Sequence, residues 1–204
     1  MTVLVALIAL ATVLLLVGWS IERSGGGVAE AGLIAALGAV AAAGRVLFVA
    51  IPSVAPVTVI CLLTGATLGA RAGASVGAIA ALVSNTFLGH GPWTPAQMAL
   101  WAAVGASGGL LRHLIARRGA LVAVAVAWGF AFGWAMNLWF LATFGPEVSV
   151  EALLVVSARS LPFDTAGAVG NAVIALTIGA PLHRMLSRAA GRTRVHVGRP
   201  ATVT

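Results

Sequence analysis

Six polar or charged side chains interrupt otherwise apolar segments, and they are the residues best suited to chemistry. They are Arg45, Asn85, Gln97, Asn137, Asp164 and Asn171. Polar groups in apolar surroundings are costly unless they bond to one another or face a cavity. Two hypotheses follow: a structural hydrogen-bond network, in which Arg45 or Arg159 pairs with Asp164, or a ligand pocket. The aromatic residues expected to wall such a pocket are Trp134, Trp139, Phe140 and Phe163.

A turn-rich run, Gly89–Met98, follows Asn85 and contains Gln97. Its two glycines and two prolines predict a rigid turn, with Pro95 in the first turn of the following helix. Trp93 alone is typical of an interfacial anchor. Together with His90 and Gln97, however, it would combine an aromatic surface with hydrogen-bonding groups. We therefore predict that His90 and Trp93 join the six polar positions and Phe163 in binding a ligand.

A ladder of small residues marks a segment near the N-terminus. Residues four apart share one face of a helix, and a face of small side chains allows a second helix to approach closely. Packing within the chain and docking onto a separate membrane subunit both fit this spacing. The ladder consists of Ala31, Ala35, Ala39 and Ala43.

One short motif raises the question of catalysis. Gly105-Ala106-Ser107-Gly108 matches the nucleophile motif of rhomboid intramembrane proteases. A serine nucleophile needs a base within hydrogen-bonding reach. The last apolar segment has no histidine until His183, at its far end, so we interpret the glycines as helix-packing residues. Because the chain contains no lysine, it also lacks a phosphate-binding loop of the Walker type.

The composition indicates a membrane protein. Hydrophobic residues make up 60% of the 204 positions and charged residues only 8%, against about 25% in soluble domains. The net charge is +7, but the arginines lie mostly at segment ends, which indicates membrane orientation rather than nucleic-acid binding. Cys61 is the single cysteine, and no Cys/His cluster with metal-ligand spacing occurs. The absence of lysine beside abundant alanine, glycine and arginine suggests a bacterial source.

The predicted fold class is an all-α integral membrane protein with about seven spans. The first segment could instead be a signal peptide, although no basic residue precedes its apolar core. We divide the chain into an N-terminal helix and linker (1–28), a membrane domain (29–190) and a basic tail (191–204). The predicted apolar segments are 2–20, 29–50, 56–70, 73–89, 96–116, 120–144 and 165–187.

The arginines predict the orientation, because cytoplasmic loops carry an excess of basic residues. With seven spans, ten arginines fall on one side and at most Arg45 and Arg159 on the other. This places the C-terminus in the cytoplasm and the N-terminus outside. The predicted outer loops are 51–55, 90–95 and 145–164. The ten are Arg23, Arg71, Arg112, Arg117, Arg118, Arg184, Arg188, Arg192, Arg194 and Arg199.

Several stretches resemble the substrate-binding (S) components of energy-coupling-factor (ECF) transporters, which are ABC-type vitamin importers. The resemblance covers about residues 29–190 and is most specific in the Gly-Pro-Trp-Thr-Pro run. The matching stretches are Gly44–Phe48, Ile51–Pro52, Pro56–Thr58, Gly89–Met98, Leu161–Asp164 and Gly170–Ala172.

The resemblance implies a six-helix bundle in the bacterial plasma membrane. In this chain the bundle would have one extra N-terminal helix. Such a component binds a vitamin at its outer face. It then docks through alanine-x-x-x-alanine faces onto a transmembrane coupling subunit driven by two cytoplasmic ATPases. The docking face would be the alanine ladder, the chain itself would be no enzyme, and no bound cofactor or metal is expected.

The closest subgroup is the cobalamin type, so cobalamin is the favoured transported ligand. This chain has Ser53, His90 and Ala96 where that subgroup usually has Asn, Gln and Trp, and these departures leave the vitamin open. Thr2 replaces the second-position histidine of the cobalt and nickel components. The alternatives are a self-contained secondary transporter, a rhomboid-like protease, and a membrane protein without a ligand. The lack of a carboxylate deep in any predicted span disfavours the secondary transporter.

Overall fold

The computed structural model describes residues 27–145 and 147–197, together with Ala11, Leu15 and Gly18. Those three isolated positions are helical, and the rest of the predicted segment 2–20 lies outside the described residues. Within the described ranges every regular element is a helix. The helices are α1 (Gly27–Leu47), α2 (Val57–Leu68), α3 (Ala70–Leu88), α4 (Trp93–Leu110), α5 (Arg112–Ile115), α6 (Arg118–Phe144) and α7 (Val150–Val197).

Three of these helices are long and apolar enough to cross a membrane. They are the stretches Val28–Leu47, Arg118–Phe144 and Val150–Gly191. The helix α2 is apolar but has only 12 residues, and nine of them are buried by neighbouring helices. The all-helical fold with three apolar helices of spanning length is consistent with the predicted helical membrane protein, while the arrangement of six helices plus one stays a prediction.

The helices α2, α3 and α4 meet at three glycines with almost no space between their backbones. A Cβ atom added to Gly65 or to Gly73 would collide with the carbonyl oxygen of Gly105, and one added to Gly105 would collide with that of Gly73. Only glycine permits such an approach. The apolar core, which includes Leu62, Val76 and other fully buried residues, packs around this three-glycine junction.

The helices α6 and α7 form a second close pair. A Cβ atom on Gly129 would overlap the backbone of Ala168, and one on Gly133 would overlap the carboxylate of Asp164. The helix α1 packs against α3, where Gly38 lies on the side chain of Ile79. The α6–α7 pair is joined to the group of α1, α2, α3 and α4 through contacts of α2 with α7 and of α4 with α6.

The predicted outer loop 145–164 is wrong, because α7 begins at Val150. The Ser149 hydroxyl accepts a hydrogen bond from the Ala152 N–H at 3.1 Å, and Glu151 lies in the first turn, where a negative charge is favourable. The sequence indicates a helix start after Pro162, but this proline stays inside α7. Packing against α6 outweighs the single hydrogen bond that proline removes. Phe163 and Asp164 thus lie on a helix, and α7 continues past Gly191 into the predicted tail.

The three-glycine junction yields a stability prediction. Replacing Gly105 with Ala should lower the free energy of unfolding by about 1–3 kcal/mol, since the added methyl group forces two backbones apart. Thermal unfolding of the detergent-purified protein measures the change. Gly119→Ala is the matched control, because a Cβ atom there meets nothing within 4 Å. Equal melting temperatures for the two variants would contradict the proposed packing role.

Candidate ligand-binding cavity

A cavity of about 300 Å³ lies between the end of α1, the connection 48–56 and the helices α2, α4, α6 and α7. Its volume is at the lower end of the range for small-molecule sites, about 300–1,000 Å³. Two charged side chains, Arg45 and Asp164, face it together with the amides of Gln97 and Asn171. Its aromatic walls are Phe48, Trp101, Trp128, Phe132 and Phe163.

Arg45 is held by neutral groups on two other helices. Its Nη1 donates to the Ser84 hydroxyl at 2.7 Å and to Asn85 Oδ1 at 2.6 Å. Its Nη2 lies 3.5 Å from Gln97 Oε1, and the guanidinium carbon is 4.8 Å from the centre of the Trp101 ring. These contacts fix the plane of the guanidinium at the wall of the cavity.

Asn85 connects this arrangement to the turn between α3 and α4. Its Nδ2 donates to Gln97 Oε1 at 2.9 Å and to the Thr94 hydroxyl at 3.1 Å. Thr94 in turn accepts from the Gly91 N–H at 3.3 Å and lies 3.4 Å from His90 Nδ1. The fully buried Asn85 is therefore the hub that orients both Arg45 and the residues of the turn.

A second polar group lies between α6 and α7. The Ser160 hydroxyl donates to Asp164 Oδ2 at 2.9 Å, and Asn137 Nδ2 donates to the hydroxyls of Ser157 and Ser160 at 3.2 and 2.8 Å. Asn171 Nδ2 donates to the carbonyl oxygen of Ala125 at 3.0 Å. Asp164 has neither Arg45 nor Arg159 as an ion-pair partner within the described residues.

The predicted site residues fall into three groups. Arg45, Gln97, Phe163, Asp164 and Asn171 line the cavity. Asn85 and Asn137 lie behind the lining and hold Arg45 and Ser160. His90 and Trp93 belong to the turn outside the cavity, where the Trp93 ring covers Gly91.

The aromatic walls differ from those predicted. Trp134, Trp139 and Phe140 lie outside the cavity lining, and Trp139 and Phe140 each contact Phe144 instead. The sequence contains a signal for the aromatic residues that do line the cavity. This signal is a spacing of four residues, which places two side chains on one face of a helix. Gln97 and Trp101 have this spacing, as have Trp128 and Phe132. The last pair encloses the cavity with Trp101, whose ring centre lies 4.8 Å from that of Phe132.

Ser107 and Cys61 have structural surroundings. The Ser107 hydroxyl donates to the Val104 carbonyl at 2.7 Å and accepts from Trp128 Nε1 at 2.9 Å, so neither partner is a base. Cys61 is a free, fully buried thiol. Within the part of the chain that the structure describes, no three His, Cys, Asp or Glu side chains are grouped to hold a metal ion.

Comparisons with protein-family models, curated proteins and solved structures found no match to this chain.

The role of Asn85 can be tested by its apolar isostere. Asn85→Leu should lower the free energy of unfolding by about 1–3 kcal/mol, because the donors of Arg45 and the acceptor of Gln97 lose a buried partner. Chemical or thermal unfolding in detergent measures the loss. Thr86→Val, an exposed change at the next position of α3, is the control. A variant as stable as the control would show that Asn85 is not the hub of this network.

Proposed function

We propose that the protein is the substrate-binding component of an ECF-type vitamin importer, and that the cavity captures the vitamin. The observation that carries this proposal is the composition of the cavity, with two charges, two amides and five aromatic residues inside a helical membrane protein. Apolar walls with a few placed polar groups are typical of small-molecule sites. The coupling subunit and the two ATPases that would drive transport are separate chains.

The segments that resemble S components supply much of the cavity. Arg45 and Phe48 come from the first matching stretch, Gln97 from the turn-rich run, and Asp164 from the last helix. These stretches are far apart in the sequence, and a resemblance confined to local packing would not bring them to one cavity. This convergence supports the assignment of the cavity as the substrate site.

The alanine ladder supports the docking role. Ala35, Ala39 and Ala43 are exposed on α1 and Ala31 is half-buried, whereas Ile34, Leu37 and Ala41 form the buried face. Three of the four small residues are therefore not used for packing among the described residues. A coupling subunit would approach α1 closely along this face.

Cobalamin is the first ligand to test, because the resemblance favours it. The three departures from the cobalamin subgroup lie near the cavity or its adjoining turn: Ser53 lines the cavity, His90 contacts Thr94, and Ala96 is half-buried at the start of α4. A cavity of about 300 Å³ is small for a corrin ring, so bound cobalamin would need the connection 48–56 to move aside. Smaller vitamins would fit without such a movement.

Ligand identification tests the proposal directly. Mass spectrometry of small molecules that co-purify with the protein, followed by calorimetric titration with cobalamin and other vitamins, measures what the cavity binds. Tight binding of cobalamin would support the role and fix the substrate. Binding of another vitamin would keep the role and implicate Ser53, His90 and Ala96 in selectivity. The absence of binding to any vitamin would contradict the proposed function.

One observation favours a second candidate, a self-contained secondary transporter. Such proteins couple transport to protons or sodium through intramembrane carboxylates, and Asp164 is buried inside α7 rather than in a loop. Uptake of substrate by this chain alone in liposomes, without ATP, would support this candidate over the ECF role.

Docking is tested by placing arginine on the ladder. Ala35→Arg and Ala39→Arg should each abolish ATP-dependent uptake while leaving ligand binding unchanged, because a long charged side chain blocks close helix contact. The matched control is Ala127→Arg on α6, where Ala123, Ala127 and Ala131 form another exposed ladder of the same spacing. If Ala127→Arg blocks uptake and the α1 variants do not, the docking face lies on α6.

The proposed orientation, with the C-terminus in the cytoplasm, is tested by cysteine labelling. The native Cys61 is fully buried and should not react. A membrane-impermeant maleimide should label Glu147→Cys in intact cells but Ser187→Cys only after permeabilisation. Both positions are exposed; Glu147 precedes α7, and Ser187 lies in its C-terminal part. The reverse labelling pattern would contradict the orientation that the arginine distribution predicts.

A further inference from the structure

The two charged groups of the cavity have opposite signs and come from different helices. Arg45 lies at the end of α1 and Asp164 in the first third of α7, and within the described residues neither is in an ion pair. Within the same part of the chain, all other lining residues are neutral. Charged groups that are removed from water are unfavourable unless each finds a partner.

Arg45 retains hydrogen-bond donors that its protein neighbours do not use. A guanidinium has five N–H donors, and its contacts within the described residues use both on Nη1 and one on Nη2. The N–H of Nε and one N–H of Nη2 remain, and these two nitrogens form one edge of the planar group. Such an edge binds the two oxygens of a carboxylate or a phosphate.

Asp164 has the complementary capacity. The residue is 7% exposed, and it lines the cavity. Ser160 donates one hydrogen bond to Oδ2, while Oδ1 lies against Gly133, where only the absence of a side chain leaves it room. A carboxylate accepts about four hydrogen bonds, so Asp164 can still accept from a cationic donor.

We propose that the cavity binds a small zwitterion. An anionic oxyacid group, carboxylate or phosphate, contacts Arg45, a cationic group contacts Asp164, and a flat ring between them packs on Trp101, Trp128 and Phe132. The inference rests on the proposed function in taking the cavity as the substrate site, and it narrows the substrate class. A ligand of this kind supplies a partner to both charges at once.

Four probes with one pyridine ring separate the contributions of charge. N-methylnicotinate is a zwitterion, nicotinate an anion, N-methylnicotinamide a cation and nicotinamide neutral. In both methylated probes the methyl group is on the ring nitrogen, which carries the positive charge. Thiamine monophosphate and thiamine form a larger pair of probes. The first is a zwitterion whose anionic group is a phosphate, and the second is a cation. Calorimetry on the full-length protein in nanodiscs should show each zwitterion binding about tenfold or more tightly than its singly charged relatives, with nicotinamide weakest.

Two neutral isosteres should then give a crossed pattern. Arg45→Gln should weaken binding of N-methylnicotinate and nicotinate by about tenfold or more and leave N-methylnicotinamide unaffected. Asp164→Asn should weaken N-methylnicotinate and N-methylnicotinamide but not nicotinate. Arg159→Gln and Glu151→Gln, which remove the same charges at exposed positions of α7, should change affinity by less than about twofold.

The crossed pattern cannot arise from misfolding, because a misfolded variant would bind all of the probes less tightly. The ranking of the probes on the wild-type protein needs no variant. The proposal is overturned if no zwitterion binds saturably to the wild-type protein, or if the neutral probe binds as tightly as the zwitterion. Tight binding of cobalamin that is insensitive to both substitutions would also overturn it while leaving the importer role intact. Conversely, zwitterion binding without ATP-dependent uptake would retain this inference and remove the importer role.

Discussion

The close contact of three helix backbones at Gly65, Gly73 and Gly105 is the constraint on which the rest of the structure depends. In lipid, helices gain little from burying apolar side chains against each other, so close van der Waals packing of backbones has to hold them together. The contact sets the positions of α3 and α4. Because Asn85 and Gln97 lie on these two helices, it also decides whether they can meet at Arg45.

The same principle acts between α6 and α7, with a different result. Gly129 allows the helices to approach at Ala168, and Gly133 leaves space for the carboxylate of Asp164. A larger residue at Gly133 would push Asp164 away from the cavity or α7 away from α6. Small residues therefore serve two purposes here, since they bring helices together and they make room for a polar group.

Hydrogen bonds distribute the polar side chains into two groups that reach the same cavity from different helices. One group is centred on Asn85 and orients Arg45, and the other runs from Asn137 through Ser160 to Asp164. Each group satisfies most of its members internally, as buried polar networks must. Each also leaves one charged end directed at the cavity. The structure thus contains both a hydrogen-bond network and a cavity, and the charged ends of the network line that cavity.

The sequence by itself determined the all-helical class and most helix positions, because apolar composition, segment length and turn residues are local properties. It also identified the cavity-lining residues Arg45, Gln97, Asp164 and Asn171, since a polar group inside an apolar segment is conspicuous wherever the chain folds. Only the tertiary structure decided that α7 starts at Val150 and passes through Pro162, because contact with α6 outweighs the local signal of proline. It alone replaced Trp134, Trp139 and Phe140 by Trp101, Trp128 and Phe132 as walls, since many aromatic residues are available and helix rotation selects among them. The placement of Arg45 and Asp164 in one cavity likewise depends on the packing of several helices, which no single segment encodes.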